Sequence, residues 1–75
     1  MPHVIVKLVP GKSEEQKRQF AKSIVEQGMQ AFGLGEEFFS VGFEEVARDD
    51  WKENVYQPEI TAKWDSLYKK PGYTV

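Results

Sequence analysis

Between Val4 and Val9 the chain is apolar on both of the faces that an extended strand presents. Alternation places Pro2, Val4, Val6 and Leu8 on one side and His3, Ile5, Lys7 and Val9 on the other. A strand of that kind needs cover above and below, which is the condition inside a parallel sheet. Pro10-Gly11 then closes the run with a turn signal. Parallel strands cannot be joined by a hairpin, so a crossover segment must follow.

The next segment has the form of that crossover. Ser13 with Gln16 three residues on predicts a capping box, and Glu14 and Glu15 suit the positive end of a helix dipole. Phe20, Ala21, Ile24, Val25, Gly28, Ala31 and Phe32 recur at three- and four-residue spacing, an apolar stripe. Lys17, Arg18, Lys22, Glu26 and Gln30 fill the other side, and Gly33 and Gly35 stop the helix. Phe38 to Val46 reads as the second strand, with Phe39, Val41 and Phe43 on one face and Ser40, Gly42 and Glu44 on the other. Strand, long helix, strand predicts a right-handed βαβ unit with parallel strands.

Downstream, Asp49-Asp50-Trp51 predicts a short helical turn and Pro58 the start of a new helix. Glu59 to Tyr68 is expected to be that helix, with Ile60, Trp64, Leu67 and Tyr68 on one face. Lys69-Lys70 and then Pro71-Gly72 end it. The tail Tyr73-Thr74-Val75 either pairs with a partner subunit or stays loose. The fold class is therefore α/β (α+β): a single βαβ unit plus a C-terminal helix, in one domain spanning residues 1–75.

Seventy-five residues without a cysteine leave a small chain with no disulfide to support it. One histidine cannot furnish a metal cluster, so oligomerisation is the support that remains. Two parallel strands are too few to stand alone, and we expect dimerisation to complete a four-stranded sheet. A formal net charge of −2 argues against nucleic acid as a partner. No apolar run approaches the ~18 residues of a membrane span, and no secretory leader precedes the first strand. The cytoplasm is the expected location.

Chemistry centres on Pro2. Methionine aminopeptidases remove Met1 before a small second residue, and the product is a free secondary amine. With Met1 attached, the same nitrogen is a tertiary amide without a basic lone pair. The structural alternative is that Pro2 simply opens an edge strand, where a missing N–H does no harm.

Pro2 heading a strand, Pro10-Gly11-Lys12-Ser13-Glu14-Glu15-Gln16-Lys17 opening the helix, and Ser40-Val41 in the second strand together resemble the 4-oxalocrotonate tautomerase family. The segment from Trp51 to Tyr73, ending Lys69-Lys70-Pro71-Gly72-Tyr73, resembles its phenylpyruvate-tautomerase-like subgroup. The resemblance implies βαβ protomers paired into dimers, some stacked as hexamers, with dimers favoured for this subgroup. It implies an amino-terminal proline acting as general base between a 2-oxo acid and its enol, without cofactor or metal. Such a base must be neutral, and apolar walls depress an amine whose ordinary pKa is ~7.7–8.0.

Two departures from the family pattern bear on activity. Lys12 stands where the family has an arginine for the substrate carboxylate, a point charge in place of a bidentate fork. Gly42 stands where the family has a carbonyl-polarising arginine, and loss of such a donor costs ~2.7–4 kcal/mol of transition-state stabilisation. Trp51 falls where the family's pocket aromatic is expected, and Phe39 either lines an apolar pocket or packs the helix. The resulting expectation is a weak tautomerase with Pro2 as base and Lys12, Trp51 and Phe39 contacting substrate. The alternative set by Gly42 is a tautomerase-fold dimer that only binds a small acid or serves a structural role.

Overall fold

The computed structural model describes residues 1–75. Strand β1 spans His3–Leu8 and pairs in parallel with β2, Ser40–Glu45, in the register His3 with Ser40 through Leu8 with Glu45. Helix α1, Glu14–Phe32, is the crossover. The capping box forms: the Gln16 N–H donates to Ser13 Oγ at 3.1 Å, and the Ser13 N–H donates to Gln16 Oε1 at 2.9 Å. Gly33, at φ 65°, takes the left-handed turn and donates its N–H to the Met29 carbonyl at 2.9 Å.

The expected second strand is shorter at its start. Glu36–Phe38 form a single 3-10 turn in which the Phe39 N–H donates to the Glu36 carbonyl at 3.1 Å. That donor is spent, so the ladder begins one residue later, with the Ser40 N–H donating to the Pro2 carbonyl at 3.2 Å. At the far end the Val46 N–H still reaches the Leu8 carbonyl at 2.9 Å.

The C-terminal region departs further from expectation. Helix α2, Arg48–Trp51, runs directly into a wider π-helical stretch, Lys52–Thr61, with Pro58 inside it rather than at a new start. Its ladder skips five residues, as in the Ala62 N–H donating to the Gln57 carbonyl at 3.1 Å. In an ordinary α-helix the Pro58 ring would meet the carbonyl four residues back; a five-residue ladder moves that carbonyl away. The expected helix over Glu59–Tyr68 is therefore absent. Only a 3-10 turn, Trp64–Ser66, follows, and Tyr68 is fully exposed rather than sharing a face with Ile60.

Side chains sort by strand face as the alternation predicts. Val4, Val6 and Leu8 with Val41 and Phe43 face α1, and Phe20 meets Phe43 with ring centroids 6.4 Å apart. Phe39 lies against Gly28, where an added Cβ would stand 2.4 Å from Phe39 Cε2. The opposite face carries His3, Ile5 and Lys7 beside Ser40, Gly42 and Glu44. Only its far end is covered, by the C-terminal segment, and Ile5 remains 42 % exposed.

One chain closes very little core: Val55 and Tyr56 alone are buried. Its accessible surface is 5864 Å², about 1,100 Å² more than a folded monomer of 8.7 kDa normally shows. The radius of gyration, 14.0 Å, exceeds the ~11 Å of a compact 75-residue domain. That surplus is on the scale of what one partner contributes to a stable interface, roughly 800 Å² or more.

Two outcomes follow from this packing. Light scattering on the eluting protein should give an integral multiple of 8.7 kDa of two or more, and the melting temperature should climb with protein concentration. Gly28→Ala should destabilise the fold by about 1–2 kcal/mol in urea melts, because the Phe39 ring must shift by more than helix propensity returns.

Candidate active site

The ends of β1 set the geography. Pro2 immediately precedes the strand, half-buried, with its carbonyl held by the Ser40 N–H. Beside it, His3 Nδ1 and Ser40 Oγ share a hydrogen bond of 2.5 Å, which fixes the imidazole on the sheet face away from α1. Met1 is 97 % exposed and takes no part in the strand pairing. Phe39 sits at this same end, its ring turned onto α1 at Gly28.

Lys12 lies at the other end. It lines a cleft of about 310 Å³ with Val6, Leu8, Gln16, Phe20 and Phe43. Lys17, on the same wall, is occupied: its Nζ lies 2.7 Å from Glu45 and 3.2 Å from Glu14. Those hydrogen bonds, Glu45 first and Glu14 second, raise its pKa. Lys12 joins no ion pair. Four residues of extended chain at ~3.3 Å each put roughly 13 Å between Pro2 and Val6, where the Lys12 cleft begins. A small acid cannot touch both Pro2 and Lys12 of one chain.

Trp51 is at the Lys12 end but on the opposite sheet face. It walls a cavity of about 550 Å³ with Lys7, Leu8, Arg48, Lys52 and Tyr73. The tail closes this cavity instead of hanging loose: Trp51 Nε1–H donates to Tyr73 Oη at 3.0 Å, and the Tyr56 and Tyr73 rings lie 5.7 Å apart. Lys7 hydrogen-bonds Glu59 and lies 3.8 Å from Glu44. The Glu59 hydrogen bond, partly opposed by desolvation, raises the Lys7 pKa. The strand, the π-helical stretch and the sheet edge are thereby tied at one ammonium.

Gly42 lies beside Ile5, and a Cβ there would meet Ile5 Cδ1 at 3.1 Å. No cation occupies that part of the sheet. The candidates named from the sequence thus fall in three places: Pro2 with Phe39, Lys12 in one cleft, and Trp51 in another. Arg48, Lys52 and Tyr73 were not singled out by sequence reasoning. The signal available was the spacing of Arg48 and Lys52, four residues apart around Trp51 on a helix.

Residues 2–53 match the family model described as tautomerase enzyme. A protein of Pectobacterium carotovorum called Tautomerase PptA is 41 % identical over 75 residues, 99 % of each chain. Its namesake in Enterobacter sp. strain 638 is 40 % identical over 76 residues, the full length of both. Among solved structures, the crystal structure of YwhB, a homologue of 4-oxalocrotonate tautomerase, superposes with a TM-score of 0.61 at 35 % identity. That match covers 64 % of this chain and 79 % of YwhB.

The Lys7 contacts fix a pH dependence. Because the folded pKa is raised, the stabilisation is complete below the unfolded lysine value of ~10.4. It is lost as pH rises through the higher folded value. Thermal melts between pH 9 and 12 should therefore show a steeper alkaline decline for the wild type than for Lys7→Met.

Proposed function

The chain belongs to the tautomerase family and is a keto–enol tautomerase of that fold, and from that premise we propose that Pro2, freed by removal of Met1, is its general base. The supporting observation is the anchoring of Pro2 at the head of an ordered strand, with its carbonyl bonded to Ser40. A ring nitrogen held there has a fixed direction, which is what proton transfer between two substrate atoms requires. The neutral amine takes the hydroxyl proton of the enol; the ammonium so formed returns a proton to the neighbouring carbon. The oxygen becomes a carbonyl, and the base is regenerated.

Lys12 and Trp51 lie too far from Pro2 to share a substrate with it within one protomer. The family forms oligomers, and we infer a dimer in which the head of one β1 approaches the tail of the partner's. The catalytic cleft then combines Pro2 of one protomer with Lys12 and Trp51 of the partner subunit. Phe39 acts beneath Pro2, packing the strand head onto α1. The substrate class is a 2-oxo acid and its enol, with an aromatic side chain favoured by Trp51. A single domain over residues 1–75, working in the cytoplasm, completes the reading. The alternative of a binding-only dimer loses ground to the uniform tautomerase identity of the full-length relatives.

Ketonisation of phenylenolpyruvate, followed by the ultraviolet loss of the enol, tests the base. Pro2→Leu, whose larger second residue keeps Met1 in place, should lower kcat by about 10²–10⁴. A variant with full rate would falsify the assignment. For the wild type, kcat/KM should rise with pH to a plateau as the amine loses its proton; a falling limb would mark an acid instead.

A further inference from the structure

The cavity beside Trp51 holds two cations with no protein partner. Arg48 and Lys52 both line it, and neither enters any of the five ion pairs of the chain. Lys7, on the same wall, is neutralised by Glu59 and Glu44. Two like charges four residues apart on a helix repel, so their placement costs stability unless an anion sits between them. The neighbouring acids Asp49 and Asp50 are adjacent in sequence and still do not pair with them.

The rest of the cavity is suited to an aromatic body. Val9 and Val75 give it an apolar floor, and Trp51 and Tyr73 are locked together by their hydrogen bond. A volume of about 550 Å³ lies in the range of small-ligand sites, ~300–1,000 Å³. An apolar floor strengthens a cation's hold on an anion relative to open water, and a guanidinium offers a carboxylate two parallel N–H donors.

We propose that Arg48 and Lys52 form the carboxylate clamp for an aromatic acid whose ring rests on Trp51 and Tyr73. The identity of that ligand as a 2-oxo acid rests on the tautomerase reading; the clamp itself rests on the cavity. Charge placement at residues 48 and 52 then determines the enzyme's preference for acids over their neutral analogues.

Phenylglyoxylate is the suitable probe, being an aromatic 2-oxo acid with no hydrogen on the carbon beside its ketone and therefore unable to enolise. Calorimetric titration should give an affinity that Arg48→Gln and Lys52→Gln each weaken about five- to tenfold. Lys22→Gln, on a different surface, should leave it unchanged, and the uncharged phenylglyoxylamide should bind no better to the wild type than the acid does to the double variant. In nitrogen–proton spectra the Trp51 indole N–H peak, identified with Trp64→Phe, should move on titration. A double variant within twofold of wild type, or an indole peak that stays in place at saturation, overturns the clamp.

The same variants in the ketonisation assay separate this inference from the role of Pro2. Arg48→Gln should raise KM and spare kcat, whereas Pro2→Leu should lower kcat and spare phenylglyoxylate affinity. Loss of rate in Pro2→Leu with unaltered binding in Arg48→Gln removes the clamp and keeps the base. The opposite pair of results keeps the clamp and removes the base.

Discussion

Parallel pairing of β1 with β2 is the constraint from which the rest of the structure follows. It demands a crossover, and one helix of nineteen residues provides it. That helix can cover only one face of a two-stranded sheet. The other face keeps Ile5 beside Gly42, open along half its length. A chain so built is incomplete by itself: each strand is paired along one edge only, and one sheet face keeps apolar surface open. The same pairing sends the head and the tail of β1 to opposite ends of the protomer. Any site that needs both must be assembled from more than one chain.

Most of this frame was legible in the residues. The capping box at Ser13 and Gln16, the Gly33 terminator and the two-sided β1 all rest on local chemistry, which sequence carries directly. The start of β2 was misplaced because a β-rich run, Phe38-Phe39-Ser40, does not reveal that the Phe39 N–H is taken by Glu36. Pro58 misled for a related reason. Its ordinary meaning is the end or the beginning of a helix, and a ladder of five-residue reach is rare enough that no residue pattern announces it.

The site was legible in proportion to how local it is. Pro2 needs only its own position at a strand head, and that position is where the residues put it. The Trp51 cavity exists because the chain turns back after Pro71-Gly72 and seats Tyr73 on Trp51. That return spans twenty-two residues of sequence, and nothing in Tyr73-Thr74-Val75 by itself distinguishes a docked tail from a free one. Arg48 and Lys52 acquire meaning only once Tyr73 is in place to form the facing wall. Phe39 is the reverse case: its contact with Gly28 explains a glycine in mid-helix that costs helix propensity.

The two lysines that are shared between carboxylates serve the scaffold. Lys7 joins β1 to the segment after β2, and Lys17 joins α1 to the end of β2, each between two carboxylates. Both hold elements together, and a cation already shared by two carboxylates has little left to offer a third. Lys12, Arg48 and Lys52 face clefts with no such partner. Repulsion between the exposed Arg48 and Lys52 is modest, and no carboxylate of the chain pairs with either to offset it. An acid bound between them relieves that repulsion, so ligand binding and the stability of the C-terminal segment are coupled through the same two charges.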